Sequence, residues 1–132
     1  MPKKILIIED EKYLAEMYKW KLEKEGYITD FALDGQAGVK KALAMNPDMI
    51  LLDLVMPVMD GYKTLEILRQ TPSTKNTPIY IFSNLGQVEE VEKGMHEGAN
   101  GFLVKAALTP TDLVKKIELV LAGKKDEDNI KT

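Results

Sequence analysis

An α/β sandwich built on a five-stranded parallel sheet is the fold class the sequence predicts, and three observations predict it. Short apolar runs at Ile5 to Ile8, Met49 to Leu52, Ile79 to Phe82 and Phe102 to Val104 are bounded by polar residues, as strands buried on both faces are. The segments between them carry apolar residues at helical spacing. With one further strand, strand and helix alternate five times, which implies right-handed crossovers covering both faces of a single sheet.

The elements follow in order. After the first strand, Leu14, Met17, Tyr18 and Leu22 recur at helical spacing, and Gly26 supplies a stop. Tyr27 to Ala32 reads as a more polar strand at an edge. Asp34-Gly35 opens a second helix running to about Met45, which Asn46-Pro47-Asp48 breaks before the strand Met49 to Leu52. Beyond a Pro57 to Gly61 loop, Leu65 and Leu68 mark a short third helix, and Thr71 to Pro78 is turn-rich. The strand Ile79 to Phe82 leads into a fourth helix whose apolar face reads as Val88, Val91 and Met95, closed by Gly98. After the fifth strand, Thr109 reads as an N-cap with Pro110 at the first helical position and Asp112 three residues on, and Leu113, Ile117, Val120 and Leu121 face inward. Residues 123–132 are polar and read as a tail or the start of a linker, leaving 1–122 as one domain.

Composition narrows the function classes. A chain of 132 residues without cysteine has no disulfide and no thiolate chemistry, which fits a reducing, cytoplasmic setting. Eighteen basic against 21 acidic residues give a net charge of −3 with no basic block, so direct nucleic-acid binding is not expected of this segment. No run is long enough for a secretion signal core or a membrane span.

The chemistry sits where the strands end. In parallel sheets, ligands bind beyond the carboxyl ends of the strands. Here those ends carry Glu9-Asp10, Asp53, Ser83 and Lys105, so all five side chains should meet on one rim. Singly, each has an ordinary structural use as a turn, cap or solvated residue; together they describe phosphoryl chemistry. Asp53 can act as a nucleophile toward phosphorus, giving an acyl phosphate. An anionic nucleophile meeting an anionic donor needs positive charge, and three clustered carboxylates themselves call for a cation, for which Mg2+ held by Glu9 and Asp10 is the natural supply. Lys105 can pair with phosphate oxygens and the Ser83 hydroxyl can donate to another.

The stretches Ile5 to Asp10 (ILIIED), Pro47 to Gly61 (PDMILLDLVMPVMDG), Tyr80 to Ser83 (YIFS) and Glu97 to Lys105 (EGANGFLVK) resemble the CheY-like receiver domain of two-component response regulators, over roughly Lys3 to Ala122. The resemblance implies a flavodoxin-like sheet of order 2-1-3-4-5. It implies Asp53 as phosphoacceptor from a histidine kinase or histidine phosphotransfer protein, and magnesium on Asp10, Asp53 and the Val55 backbone carbonyl, with Glu9 direct or through water. It makes Ser83 and Lys105 the switch pair, with Ser83 moving toward the phosphoryl group and Phe102 changing rotamer as the second switch residue, which remodels the surface of helix four, strand five and helix five. It implies as output a downstream protein target or a linked effector domain, and allows a phosphorylation-dependent dimer. The chain reads either as a stand-alone receiver or as the N-terminal part of a longer regulator.

Three positions depart from the family pattern. Ala106 stands where a proline, commonly cis, usually follows the lysine; Ser83 replaces the commoner threonine; Phe102 lacks a tyrosine hydroxyl. Val55 and Leu85 flank the path of water to the phosphoryl group in this family, and both are apolar here. Neither can orient a water, so autodephosphorylation should be slower than in a Val55→Asn, Leu85→Glu variant, measured by phosphate release.

Other readings compete. A haloacid dehalogenase-type phosphatase or phosphotransferase also uses a strand-end Asp with magnesium, but expects a second Asp two residues on, where this chain has Val55. A nucleotide or flavin binder is opposed by the acidic, glycine-free Glu9-Asp10-Glu11. A phosphorylation-independent interaction module would be expected to lack one of the key residues. The expectation is thus a switch that catalyses only its own phosphorylation and dephosphorylation.

Overall fold

The computed structural model describes residues 2–56, 58–84 and 88–123. Its elements are β1 (Lys4–Ile8), α1 (Lys12–Lys24), β2 (Ile28–Ala32), α2 (Gly35–Met45), β3 (Met49–Leu52), α3 (Gly61–Gln70), β4 (Ile79–Ser83), α4 (Val88–His96), β5 (Gly101–Val104) and α5 (Pro110–Leu121). The strands form one parallel sheet of order β2-β1-β3-β4-β5, as the sequence resemblance implied.

Successive strand residues point to opposite faces, so each apolar run feeds two cores. Leu6, Ile8, Ile50, Leu52, Ile79 and Ile81 pack with Ala42, Leu65, Leu68 and Val91 on the side of α2, α3 and α4. Ile5, Ile7, Met49, Leu51, Tyr80 and Phe82 pack with Tyr18, Leu22, Leu113 and Ile117 on the side of α1 and α5. This two-sided burial explains why β3 has no exposed residue and no alternation.

The helix ends follow their local chemistry. Asp34 and Asp60 cap α2 and α3 by accepting from the backbone N–H of Ala37 and Lys63, each at 2.9 Å. Thr109 and Asp112 form a reciprocal capping box at the start of α5, with Pro110 in the first turn.

One expectation for α4 needs correction. Met95 is 37% exposed and does not share the buried face with Val91. Gly94 takes that place: a Cβ there would lie 2.4 Å from Ile81 Cδ1, so the missing side chain lets α4 settle on β4 and turns Met95 outward. The Val88 side chain, Pro57, Leu85, Gly86 and the tail beyond 123 lie outside the described residues. Elsewhere β4 runs one residue further than expected, taking in Ser83.

At the sheet edge, the Phe31 N–H donates to Asp30 Oδ1 at 2.8 Å and its carbonyl accepts from Lys41 Nζ at 2.6 Å. Lys41 and Asp30 also pair with each other at 3.0 Å. At the end of the sheet where the strands begin, Arg69 links three segments. Its guanidinium donates to the carbonyls of Thr74 (3.1 Å), Lys75 (3.2 Å), Thr77 (2.8 Å) and Gly98 (2.9 Å), and to Asn100 Oδ1 (2.7 Å). Asn100 Oδ1 in turn accepts from the Ile79 N–H that begins β4.

Candidate functional site

Register brings the predicted residues together. Ile8 pairs with Leu52, and the Asp53 N–H donates to the Ile8 carbonyl at 3.0 Å, so Glu9 and Asp53 leave adjacent strands side by side. Leu52 pairs with Ile81, and Ser83 pairs with Val104, which sets Lys105 just beyond Ser83. The strand ends thus deliver Glu9, Asp10, Asp53, Ser83 and Lys105 to the same rim.

Glu9 and Asp53 are buried and Asp10 is exposed, and an oxygen of each lies within 4.8 Å of the others. Glu9 Oε2 accepts from the Glu11 N–H at 3.1 Å, and Asp53 Oδ1 from the Val55 N–H at 3.3 Å. The Lys105 ammonium enters between the two buried carboxylates, in contact with Glu9 Oε1 and 3.3 Å from Asp53 Oδ2. Glu9 Oε1 has that ion contact but no hydrogen bond of good geometry.

The electrostatics follow from burial. Desolvation pushes the Glu9 carboxyl up to about 7, against the opposing pull of Lys105 and the Glu11 N–H. Asp53 is raised as well, again chiefly by burial, with Lys105 and the Val55 N–H working the other way. Burial alone would lower Lys105, but its contacts with Glu9 and Asp53 outweigh that and raise it.

A hard divalent cation fits this arrangement. The donors are all carboxylate oxygens, those of Glu9 and Asp53 are buried and close together, and the Asp10 side is open for water and phosphate oxygens.

Ser83 is buried, but among the described residues its hydroxyl makes no hydrogen bond to either carboxylate or to Lys105. Phe102 is half-buried, pairs with Ile81 and packs on the α4 side of the sheet. Alternation puts Ser83 on that same side, two rungs' depth of one face holding both expected switch residues. Val55 is 57% exposed beside Asp53. The Lys105–Ala106 peptide is trans, and Lys105–Ala107 form a short 3-10 turn where the family pattern has a proline after the lysine.

The sequence reading did not single out Gly61. Its N–H donates to the Leu54 carbonyl at 2.9 Å, and a Cβ there would fall 2.5 Å from the Asp53 carbonyl oxygen and 2.5 Å from Leu54 Cα. The start of α3 therefore clamps the backbone of Asp53 and Leu54. Within the same loop Val58 sits at φ 67°, a left-handed conformation that a β-branched residue adopts only under constraint. Gly61→Ala is expected to destabilise the protein by about 1–3 kcal/mol through this backbone clash, outweighing the ~1 kcal/mol that alanine gains in a helix. Urea unfolding measures it; equal or greater stability would show that the loop relaxes freely.

Comparison with known proteins gives a consistent result. The family described as response regulator receiver domain matches residues 5–118. Response regulator ArlR of Staphylococcus saprophyticus is 41% identical over 77% of this chain and 45% of its own length. Chemotaxis protein CheY of Treponema pallidum is 35% identical over 90% of this chain and 81% of its own. The structure of Vibrio cholerae chemotaxis protein CheY4 superposes with a TM-score of 0.83 at 30% identity, covering 89% of this chain and 98% of that one. The chain spans about half the length of several curated regulators it matches.

Proposed function

Because the chain belongs to the response regulator receiver domain family, we propose that Asp53 is its phosphoacceptor and that the rim around it is a phosphorylation-driven switch. The observation that carries this reading is the Lys105 ammonium set between buried Glu9 and Asp53 at the ends of three strands. One carboxylate oxygen of Asp53 attacks phosphorus as the P–N bond of a donor phosphohistidine breaks. The electron pair leaves on the imidazole nitrogen, and Asp53 is left as a mixed anhydride. Lys105 pairs with the incoming phosphoryl oxygens, and Ser83 donates its hydroxyl to another.

Glu9, Asp10, Asp53 and the Val55 carbonyl are the groups that would hold Mg2+. When bound, the ion supplies the charge that lets anionic nucleophile and donor approach. The donor is a histidine kinase or histidine phosphotransfer protein, and the setting is the cytoplasm. Drawing Ser83 toward the phosphoryl group would free space for Phe102 on the same face, altering the surface of α4, β5 and α5. The readout goes to a protein target or to an effector domain in the same polypeptide.

Incubation with Mg2+ and acetyl phosphate, followed by intact mass, tests the reading. One labile phosphoryl is expected, lost with Asp53→Asn and with EDTA. An unmodified parent protein would overturn it, and steady turnover of a phosphate ester would favour a hydrolase.

A further inference from the structure

Among the described residues, the Lys105 ammonium lies against Glu9, Asp53 and the ring of Phe82, whose centroid is 5.7 Å away. The two carboxylates are those a divalent cation and a phosphoryl group would engage. The ring is a neutral partner that neither competes for. Phe82 is 2% exposed, pairs with Leu103 across β4 and β5, and lies on the α1 and α5 side of the sheet. Tyr18 of α1 meets it edge-on, with centroids 5.1 Å apart and planes at 70°, which fixes the tilt of the ring. The Lys105 side chain is only 9% exposed, so the attraction between ammonium and ring acts largely without water.

Resting on the phosphoacceptor reading, we propose that Phe82 is a positioning residue for Lys105, its ring keeping the ammonium at the rim once Glu9 and Asp53 are engaged elsewhere. A lysine on a flexible four-carbon stem is otherwise free to swing into solvent when its anionic partners are neutralised. The ring keeps it within reach of the phosphoryl oxygens without adding negative charge to the site. Tyr18 acts one step further back, by holding the ring.

NMR of lysine-labelled protein, saturated with Mg2+ and unphosphorylated, tests this directly. The ε-methylene protons of Lys105 are expected to show an upfield ring-current shift in the parent and in Phe82→Tyr, and to lose it in Phe82→Leu. Phe82→Met, which keeps bulk without a ring, should behave like Phe82→Leu. Phosphorylation by acetyl phosphate should slow about tenfold in the Leu and Met variants, equivalent to ~1.4 kcal/mol, and recover in Phe82→Tyr. Ile5→Val, a core change on the same face at the far end of the sheet, serves as the control for general destabilisation and should leave both readouts unchanged. Unaltered Lys105 shifts in Phe82→Leu, or an equal rate loss in Ile5→Val, would overturn the proposal. A parent protein that shows the ring-current shift but takes no phosphoryl group would instead overturn the phosphoacceptor reading and leave the Phe82 contact standing.

Discussion

Lys105→Met is expected to slow phosphorylation of Asp53 by about 10²- to 10³-fold, the usual cost of removing one charge-stabilising donor from a preorganised site. Its second effect is on stability. In the parent without metal, Glu9 has a folded value of about 7 against an ordinary 4.5, so the folded state holds the extra proton between those values. A raised carboxyl contributes stability that is complete below about 4.5 and lost as pH climbs through about 7, a swing of roughly 3 kcal/mol. Asp53, also raised, acts in the same direction. Without the ammonium, both carboxyls rise further, so the loss extends to higher pH and deepens. Urea unfolding at pH 5 and pH 8 in EDTA should show the variant losing more stability than the parent, by about 2–4 kcal/mol at pH 8. Mg2+ held by the ionised carboxylates, as proposed above, should remove most of the difference. A variant with parental stability at both pH values would mean that the buried carboxylates do not depend on Lys105.

Arg69→Ala is expected to cost about 2–4 kcal/mol with little change in the phosphorylation rate. The guanidinium holds the turn after α3, the loop before β5 and, through Asn100, the start of β4. These contacts lie at the opposite end of the strands from Asp53, so chemistry and stability should separate. Arg69→Lys should recover little, because one ammonium cannot donate in three directions from a planar fork. Thermal or urea unfolding measures the loss; an equal fall in phosphorylation rate would show that the two ends of the sheet are coupled.

What the sequence made legible depended on whether a local signal existed. The strands were readable because two-sided burial demands continuous apolar runs, and the α5 start because Thr109, Pro110 and Asp112 interact within four residues. The carboxylates, Ser83 and Lys105 were readable because strand ends in a parallel sheet share a rim. Gly94 was missed because an absent side chain leaves no mark in an apolar pattern, and Met95 was taken in its place. Arg69 bonds mainly to backbone carbonyls, which any sequence supplies. The approach of Phe82 to Lys105 depends on the register of β4 against β5, a tertiary fact that neither residue announces.

The ion pair beside Phe31 has a consequence for how copies of this chain meet. A guest strand adding alongside β2 would need the N–H and carbonyl that Asp30 and Lys41 already occupy, and would have to separate two joined charges to reach them. Lateral growth of the sheet is thereby disfavoured at the Phe31 rung of this flank, even in a crowded solution.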